Sequence, residues 1–411
     1  MTQAVSSRSR PAPFPRGPER RVAVASLVDT IGTGLNYSIL PIFLVRTVGL
    51  SAAQVGLAMS IAGGVGLSAG LAMGVVADRR GPRGVVVMAY LTQALAAACL
   101  PFAHGFAQVL PILCLIIFAG EGGRASRYAV IARVGADPVR FRARVQVVTN
   151  IGAATGIGLG GLLALVGSRE AYTAALLGNA LSFLLAGAIV RSLPFLPPVP
   201  RPAGSTQERA AGGGAGSVFT DWPYLAVTVV SALLMIQNQV MVLGLPLWIV
   251  TGHALPVWTV AATLLVNTSM VALFQVRAVR RIDSPEEAGR AWRRAGLCFL
   301  ASCSLIPLAG MLPGWVALGG VLLAVVVHSL GEIWHSGGIF QIALGLAPEH
   351  AMVKYQGVFN LGEGITTTFA PSLVVALCIG RGQLGWTALG VLLLLPGLVA
   401  PPVSRWAQRT R

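Results

Sequence analysis

Gly74-Val75-Val76-Ala77-Asp78-Arg79-Arg80-Gly81-Pro82-Arg83 decides the fold of this chain. It is a short charged turn between two long apolar runs. The 26 residues before its charges, Ala52 to Ala77, carry none, and neither do the 20 from Gly84 to Ala103. Each run reaches the roughly 20 residues that a helix needs to cross a bilayer core. The turn is therefore a tight connection between two membrane spans, and its arginines hold it on the cytoplasmic side.

Composition agrees. Of 411 residues, 55% are hydrophobic and only 11% charged, with a mean hydropathy of +0.74. A soluble domain carries about 25% charged residues, so the chain belongs to the membrane class. The net charge of +16 could suggest nucleic acid. The arginines lie in short loops beside apolar spans, however, which excludes that partner. The five cysteines (Cys99, Cys114, Cys298, Cys303, Cys378) all fall in apolar runs without metal-ligand spacing and read as small buried hydrophobes. The Arg/Pro-rich start runs straight into a full-length span, so the first helix is expected to stay uncleaved.

Outward from the turn, the pattern predicts spans near 22–45, 52–77, 84–103, 108–133, 143–166 and 171–193. Six more follow near 223–250, 256–277, 295–311, 315–343, 355–379 and 385–403. The expected organisation is a cytoplasmic tail (1–21), a six-helix bundle (22–193), a Pro- then Gly-rich linker (194–221), a second six-helix bundle (222–403) and a short tail (404–411). Basic residues test this count. Of the 30 Lys and Arg, Arg46, Arg169 and Arg381 fall outside and Arg124 and Arg127 fall within a span; the remaining 25 are cytoplasmic if both termini are inside.

The halves repeat. Leu40-Pro41-Ile42-Phe43-Leu44-Val45 closes the first span, and Leu245-Pro246-Leu247-Trp248-Ile249-Val250 closes the seventh. Gln146-Val147-Val148-Thr149-Asn150-Ile151-Gly152 opens the fifth, and Gln356-Gly357-Val358-Phe359-Asn360-Leu361-Gly362 opens the eleventh. Gly120-Glu121 has its counterpart in Gly331-Glu332. The repeats run the same way through the membrane. The fold class is thus all-α and polytopic, with 12 transmembrane helices in two pseudo-symmetric bundles around a central site.

With these features the chain resembles the major facilitator superfamily. The family signature between spans 2 and 3 reads G-x-L-a-D-R-x-G-R-[RK]. Gly74, Asp78, Arg79, Gly81 and Arg83 match it, while Val76 replaces the Leu and Pro82 a basic residue. The resemblance covers everything except the tails and the linker. It implies that Asp78 is a latch between the halves on the cytoplasmic side, with the start of span 11 near Tyr355 as partner. Span 5 is similar to the G-x-x-x-G-P-x-x-G-G motif of the drug:proton antiporters through Gly152, Gly156, Gly160 and Gly161, with Ile157 in place of the Pro. Glycine at every fourth position also lets two helix backbones approach closely, which is a packing role in its own right. The span 4 motif of that group is missing, since Ile116 and Phe118 occupy its candidate positions.

Charges inside the membrane are the functional signal. Each costs at least about 2.5–3.5 kcal/mol at mid-bilayer, so each needs a partner, a water-filled cavity or a proton. The acidic ones are Asp29, Glu121, Glu332 and Glu363. A carboxylate that a proton can neutralise is a natural coupling element, and the order of candidacy is Glu121, Asp29, Glu332, Glu363. Arg124 and Arg127 follow Glu121 at i+3 and i+6, so Glu121 can pair with Arg124. On span 10, His328, Glu332 and His335 share one face. The repeat predicts that Glu332 and Glu121 face each other across the cavity. A static ion-pair network holding the bundles together is the structural alternative. The span 10 face lacks a third or fourth ligand for zinc, so no metal is expected. Among uncharged polar residues, Asn36, Gln237, Asn238 and Gln239 are candidates for the substrate path.

The sequence therefore predicts a secondary transporter of the inner (plasma) membrane that exports a small organic compound in exchange for protons by alternating access. The alternative is a proton symporter importing a nutrient. It predicts no enzyme activity, no cofactor, no P-loop, and a monomer in the lipid bilayer.

Overall fold

The computed structural model describes residues 17–135, 138–196, 218–252, 255–279, 282–347 and 352–410, and every regular element among them is helical. The first half comprises α1 (Pro18–Arg46), α2 (Ala52–Cys99), α3 (Phe106–Val134), α4 (Pro138–Val166) and α5 (Arg169–Arg191). The second begins with α6 (Trp222–Met235), the short α7 (Gln237–Gln239), a π turn (Val240–Gly244) and α8 (Leu245–Thr251). It continues with α9 (Thr259–Val279), α10 (Pro285–Ala309), α11 (Gly314–Gly345), α12 (Met352–Cys378) and α13 (Gly382–Arg409). Ten stretches are long and apolar enough to cross a membrane. The eighth expected span is a shorter apolar helix, Thr259–Gln275. The ninth lies in α10, whose first turns carry Glu286, Glu287, Arg290, Arg293 and Arg294.

Local chemistry sets the helix starts. Ser51 opens α2 with a reciprocal capping box: its hydroxyl accepts from the Gln54 amide, and the Gln54 side chain accepts from the Ser51 amide. Ser168, Asp221 and Ser284 cap α5, α6 and α10 one-sidedly, each side chain accepting from a backbone amide three residues on.

The signature stretch differs from the expected turn. Residues 74–80 continue the helix, and the break is confined to Gly81, with φ 76° and ψ 156°. Only glycine holds that backbone without strain. The reversal thus needs one residue rather than a loop. Arg83 donates to the carbonyl of Arg191 at the end of α5, where a cation meets the negative end of a helix. The side chains of Gly74, Asp78 and Arg79, and with them the Asp78 latch, lie outside the described residues, as do 1–16 and most of the 194–221 linker.

Within the first half, α1 packs on α4 and α5, and α2 on α3 and α5. In the second, α10 packs on α11 and α13, and α9 on α11. The glycines of α4 make the α1 seam. A Cβ at Gly152 would lie 2.2 Å from Thr30 Oγ1, one at Gly156 2.0 Å from the Ile31 carbonyl oxygen, and one at Gly160 2.7 Å from Ser38 Cβ. Gly161 points elsewhere, with its Cβ position 2.5 Å from Ala261 Cβ on α9. The same architecture recurs in the second half, where Gly362 of α12 faces Thr228 and Ala232 of α6.

The halves meet through two large symmetric crossings, the first arm of α2 with α12 and α4 with α9, and through a smaller contact of α1 with α8. At the end away from the chain termini this seam is closed. Arg46 donates to the Val250 carbonyl at 3.0 Å. Ser60 Oγ accepts from the Ser372 amide at 3.0 Å and from its hydroxyl at 2.8 Å. Gly63 lies against the Thr367 backbone, and Leu67 fills the space beside Gly364. Toward the end that carries the termini, Tyr128, Val147, Ile151 and Leu361 are exposed.

Candidate substrate and proton site

Two ion pairs among the described residues of the first half involve α3. Glu121 and Arg124, one turn apart, pair at 2.7 Å, with side chains 41% and 58% accessible. That exposure in mid-helix places them at the cavity between the halves. Asp29 of α1 is only 14% accessible and pairs with Arg127 at 3.8 Å. The Tyr90 hydroxyl donates to the same Asp29 oxygen at 3.0 Å. Arg127 also donates to the Gly120 carbonyl and lies over the Tyr90 ring. Arg124 and Arg127 do not share one partner. Three residues of helix turn them by nearly a full turn, and the remaining angle, with their long stems, sends Arg124 to Glu121 and Arg127 to Asp29.

Glu121 also touches the helix crossing. A Cβ at Gly66 would meet its Cγ at 3.4 Å, and the neighbouring Leu67 packs on Gly364, next to Glu363. Glu363 is half-buried, and the Arg124 and Glu121 charges act on it across the gap. The acids that approach one another from opposite halves are therefore Glu121 and Glu363. Tyr37, exposed to the cavity, feels the charges of both Glu121 and Asp29. Asn36, beside it, is partly buried.

Glu332 lies elsewhere. It accepts from Asn267 Nδ2 at 2.8 Å, and Asn267 also donates to Ser329 Oγ at 3.0 Å. Glu332 is thus tied to α9 within its own half and not set opposite Glu121. The repeat aligns the two positions in sequence, yet α11 turns its acid toward Asn267 of α9. His328 is fully buried, pairs with Gln237 Oε1 at 2.9 Å and stacks against Phe299. His335 is buried, tilts against the Trp292 ring, and its carbonyl accepts from Trp292 Nε1. Neither histidine forms an ion pair with Glu332 among the described residues. One nitrogen of each ring, Nδ1 of His328 and Nε2 of His335, lacks a hydrogen-bond partner there.

The three consecutive amides also separate. Gln237 is buried and bonds His328 and, at 2.8 Å, Asn238. Gln239 is partly buried, with its Oε1 enclosed. The π turn that follows accommodates this uneven placement, since it interrupts the regular α-helical register. No group of three or more His, Cys, Asp or Glu that could hold a metal occurs among the described residues.

Sequence reading missed Tyr90 and the far-end pairs Arg46–Val250 and Ser60–Ser372. A tyrosine in an otherwise apolar span was the available signal for the first. Nothing in the sequence marks the others.

A family model described as Major Facilitator Superfamily matches residues 22–371. No curated protein matches the chain. Among solved structures, a nucleoside transporter, NupG, is similar with a TM-score of 0.74 at 13% identity, over 96% of this chain and 99% of that one. A POT family transporter in complex with 5-aminolevulinic acid gives 0.76 at 13% identity, over 95% and 96%. A peptide transporter POT in complex with sulfate gives 0.74 at 15% identity, over 96% of both chains. At such identities the likeness shows the shared fold.

Proposed function

The chain belongs to the major facilitator superfamily, and from that premise we propose that it is a proton-coupled exporter of a small organic compound, working by alternating access. The observation that carries the reading is the pairing of the two intramembrane carboxylates of the first half with arginines, Asp29 with Arg127 and Glu121 with Arg124. A proton arriving at either carboxylate cancels one charge of a pair and releases its arginine, so proton binding and the substrate site are coupled electrostatically. The mostly apolar surroundings suit an amphiphilic organic solute.

Twelve spans in two six-helix bundles (22–193 and 222–403), joined by the 194–221 segment, are part of this reading. So are a monomer, both termini on the cytoplasmic side of the inner (plasma) membrane, and the absence of a cofactor or catalytic activity. The closed seam at the far end and the exposed side chains at the terminal end then correspond to an inward-facing state.

Expression in a host stripped of its own efflux pumps, grown across a panel of toxic organic compounds, tests the proposal. Resistance that disappears in an Asp29→Asn/Glu121→Gln protein is the expected result. Internal accumulation of a labelled compound would instead show proton-linked import, and resistance retained in the double variant would remove these carboxylates from the mechanism.

A further inference from the structure

Asp29 has its own access to the terminal end of the molecule. A pocket of about 260 Å³ opens beside it, and every residue lining it comes from the first half. Its walls include Ser26 of α1, Tyr90 of the second arm of α2, Arg124 and Val130 of α3, Val145 of α4 and Val190 of α5, and no described residue of the second half contributes. Glu121, by contrast, packs against Gly66 at the crossing between the halves.

We propose that Asp29 exchanges its proton with the terminal-side compartment through this pocket of the first half, rather than past the second half. The inference rests on the proton-carrier reading of Asp29 and adds the route. At about 30 Å³ per molecule of liquid water, the space accommodates several waters. Polar groups needed to hold them are present in Ser26, Thr149, Gln146 and Asp29 itself.

The charged and titratable groups facing Asp29 are Tyr37 on its own helix α1, Tyr90 from α2 and Arg127 and Arg124 from α3, with Tyr128 of α3 and Arg142 of α4 further out in the pocket. The part of α5 that lines the pocket contributes only apolar Val190. Arg142 lies over the Tyr128 ring at 4.9 Å and forms no ion pair among the described residues. Deprotonation then proceeds simply. The O–H bond of the Asp29 carboxyl breaks, a pocket water takes the proton, and the carboxylate is left beside Arg127. The proton passes down the water chain and leaves as hydronium to the bulk buffer. The cations around the pocket stabilise the carboxylate that remains, which favours release.

The test is a rapid pH jump on the purified full-length protein, read by the infrared C=O band of the protonated Asp29 carboxyl, which is identified by its loss in Asp29→Asn. Val145→Phe and Ser26→Phe fill the pocket from α4 and from α1, and Leu361→Trp adds bulk on the second half, at the exposed end of α12. The expected result is that either folded pocket variant slows the band's response at least tenfold, while Leu361→Trp leaves it unchanged. A response slowed only by Leu361→Trp, or one unchanged in both pocket variants, would overturn the route while leaving Asp29 as a carrier. Absence of the band in the wild type at every pH would overturn the carrier reading itself.

Discussion

The guanidinium of Arg46, in the last turn of α1, donates to the carbonyl of Val250, in the last turn of α8, and so ties the two halves together at the far end. The bond joins residues that close corresponding spans of the repeat. It lies at the same end as the Ser60–Ser372 contact between α2 and α12. Opening that end requires both to break. A Ser60→Cys/Ser372→Cys protein, whose positions now approach through hydroxyls 2.8 Å apart, is expected to form a disulfide. Transport should stop on oxidation and return with a reductant. Uninterrupted transport by the oxidised, cross-linked protein would mean that this seam does not open.

Gly156 has no room for a side chain. A Cβ there would lie 2.0 Å from the Ile31 carbonyl oxygen and 3.0 Å from Gly34 Cα, both backbone atoms that cannot swing away. Gly156→Val is expected to cost roughly 1–3 kcal/mol or more through overpacking, seen as a lower melting temperature in detergent. Gly158→Ala, with nothing within 4 Å, is the control and should leave the temperature unchanged.

Gln237 was expected on the substrate path, and its surroundings predict a structural effect as well. Gln237→Leu would leave His328, already lacking a partner at Nδ1, without one at Nε2. A buried polar group left unpaired costs about 1–3 kcal/mol. The folded protein should lose that much by denaturant titration. Gln237→Glu or Gln237→His keeps an acceptor for the ring, and a loss of transport with intact stability in either would assign the residue to the substrate.

Arg127 and Asp29 form a partly enclosed pair, so removing one charge alone strands the other. Arg127→Gln is expected to destabilise the protein by up to about 3 kcal/mol. The Asp29→Asn/Arg127→Gln double variant should recover most of that stability and none of the proton coupling. A double variant as unstable as the sum of its parents would show that the pair contributes nothing to the fold.

What the sequence revealed and what it hid follow from helix geometry. Apolar length is enough to find the ten stretches long enough to cross a membrane, and the i, i+3 spacing of Glu121 and Arg124 is enough to pair them. Such local rules work within one helix. They do not say which other helix a face meets, so Arg127 was grouped with Arg124 although it turns to Asp29, and Glu332 was aligned with Glu121 although it bonds Asn267. The glycines of α4 announced a close approach, but the partner, α1 for three of them and α9 for Gly161, is a matter of tertiary packing. The Gly81 break shows the opposite case, where a residue type marked a conformation and the number of residues in the turn was set by the two helices it joins.

The central claim is that substrate movement and proton movement are linked through Asp29 and Glu121. Everted membrane vesicles carrying the protein, energised to an inside-acid state and monitored with a pH-sensitive dye, test it directly. A compound identified by the resistance panel should discharge the gradient in wild-type vesicles and fail to do so with Asp29→Asn/Glu121→Gln. Transport of that compound into wild-type vesicles with the gradient untouched, or an equal discharge in the double variant, would contradict the account.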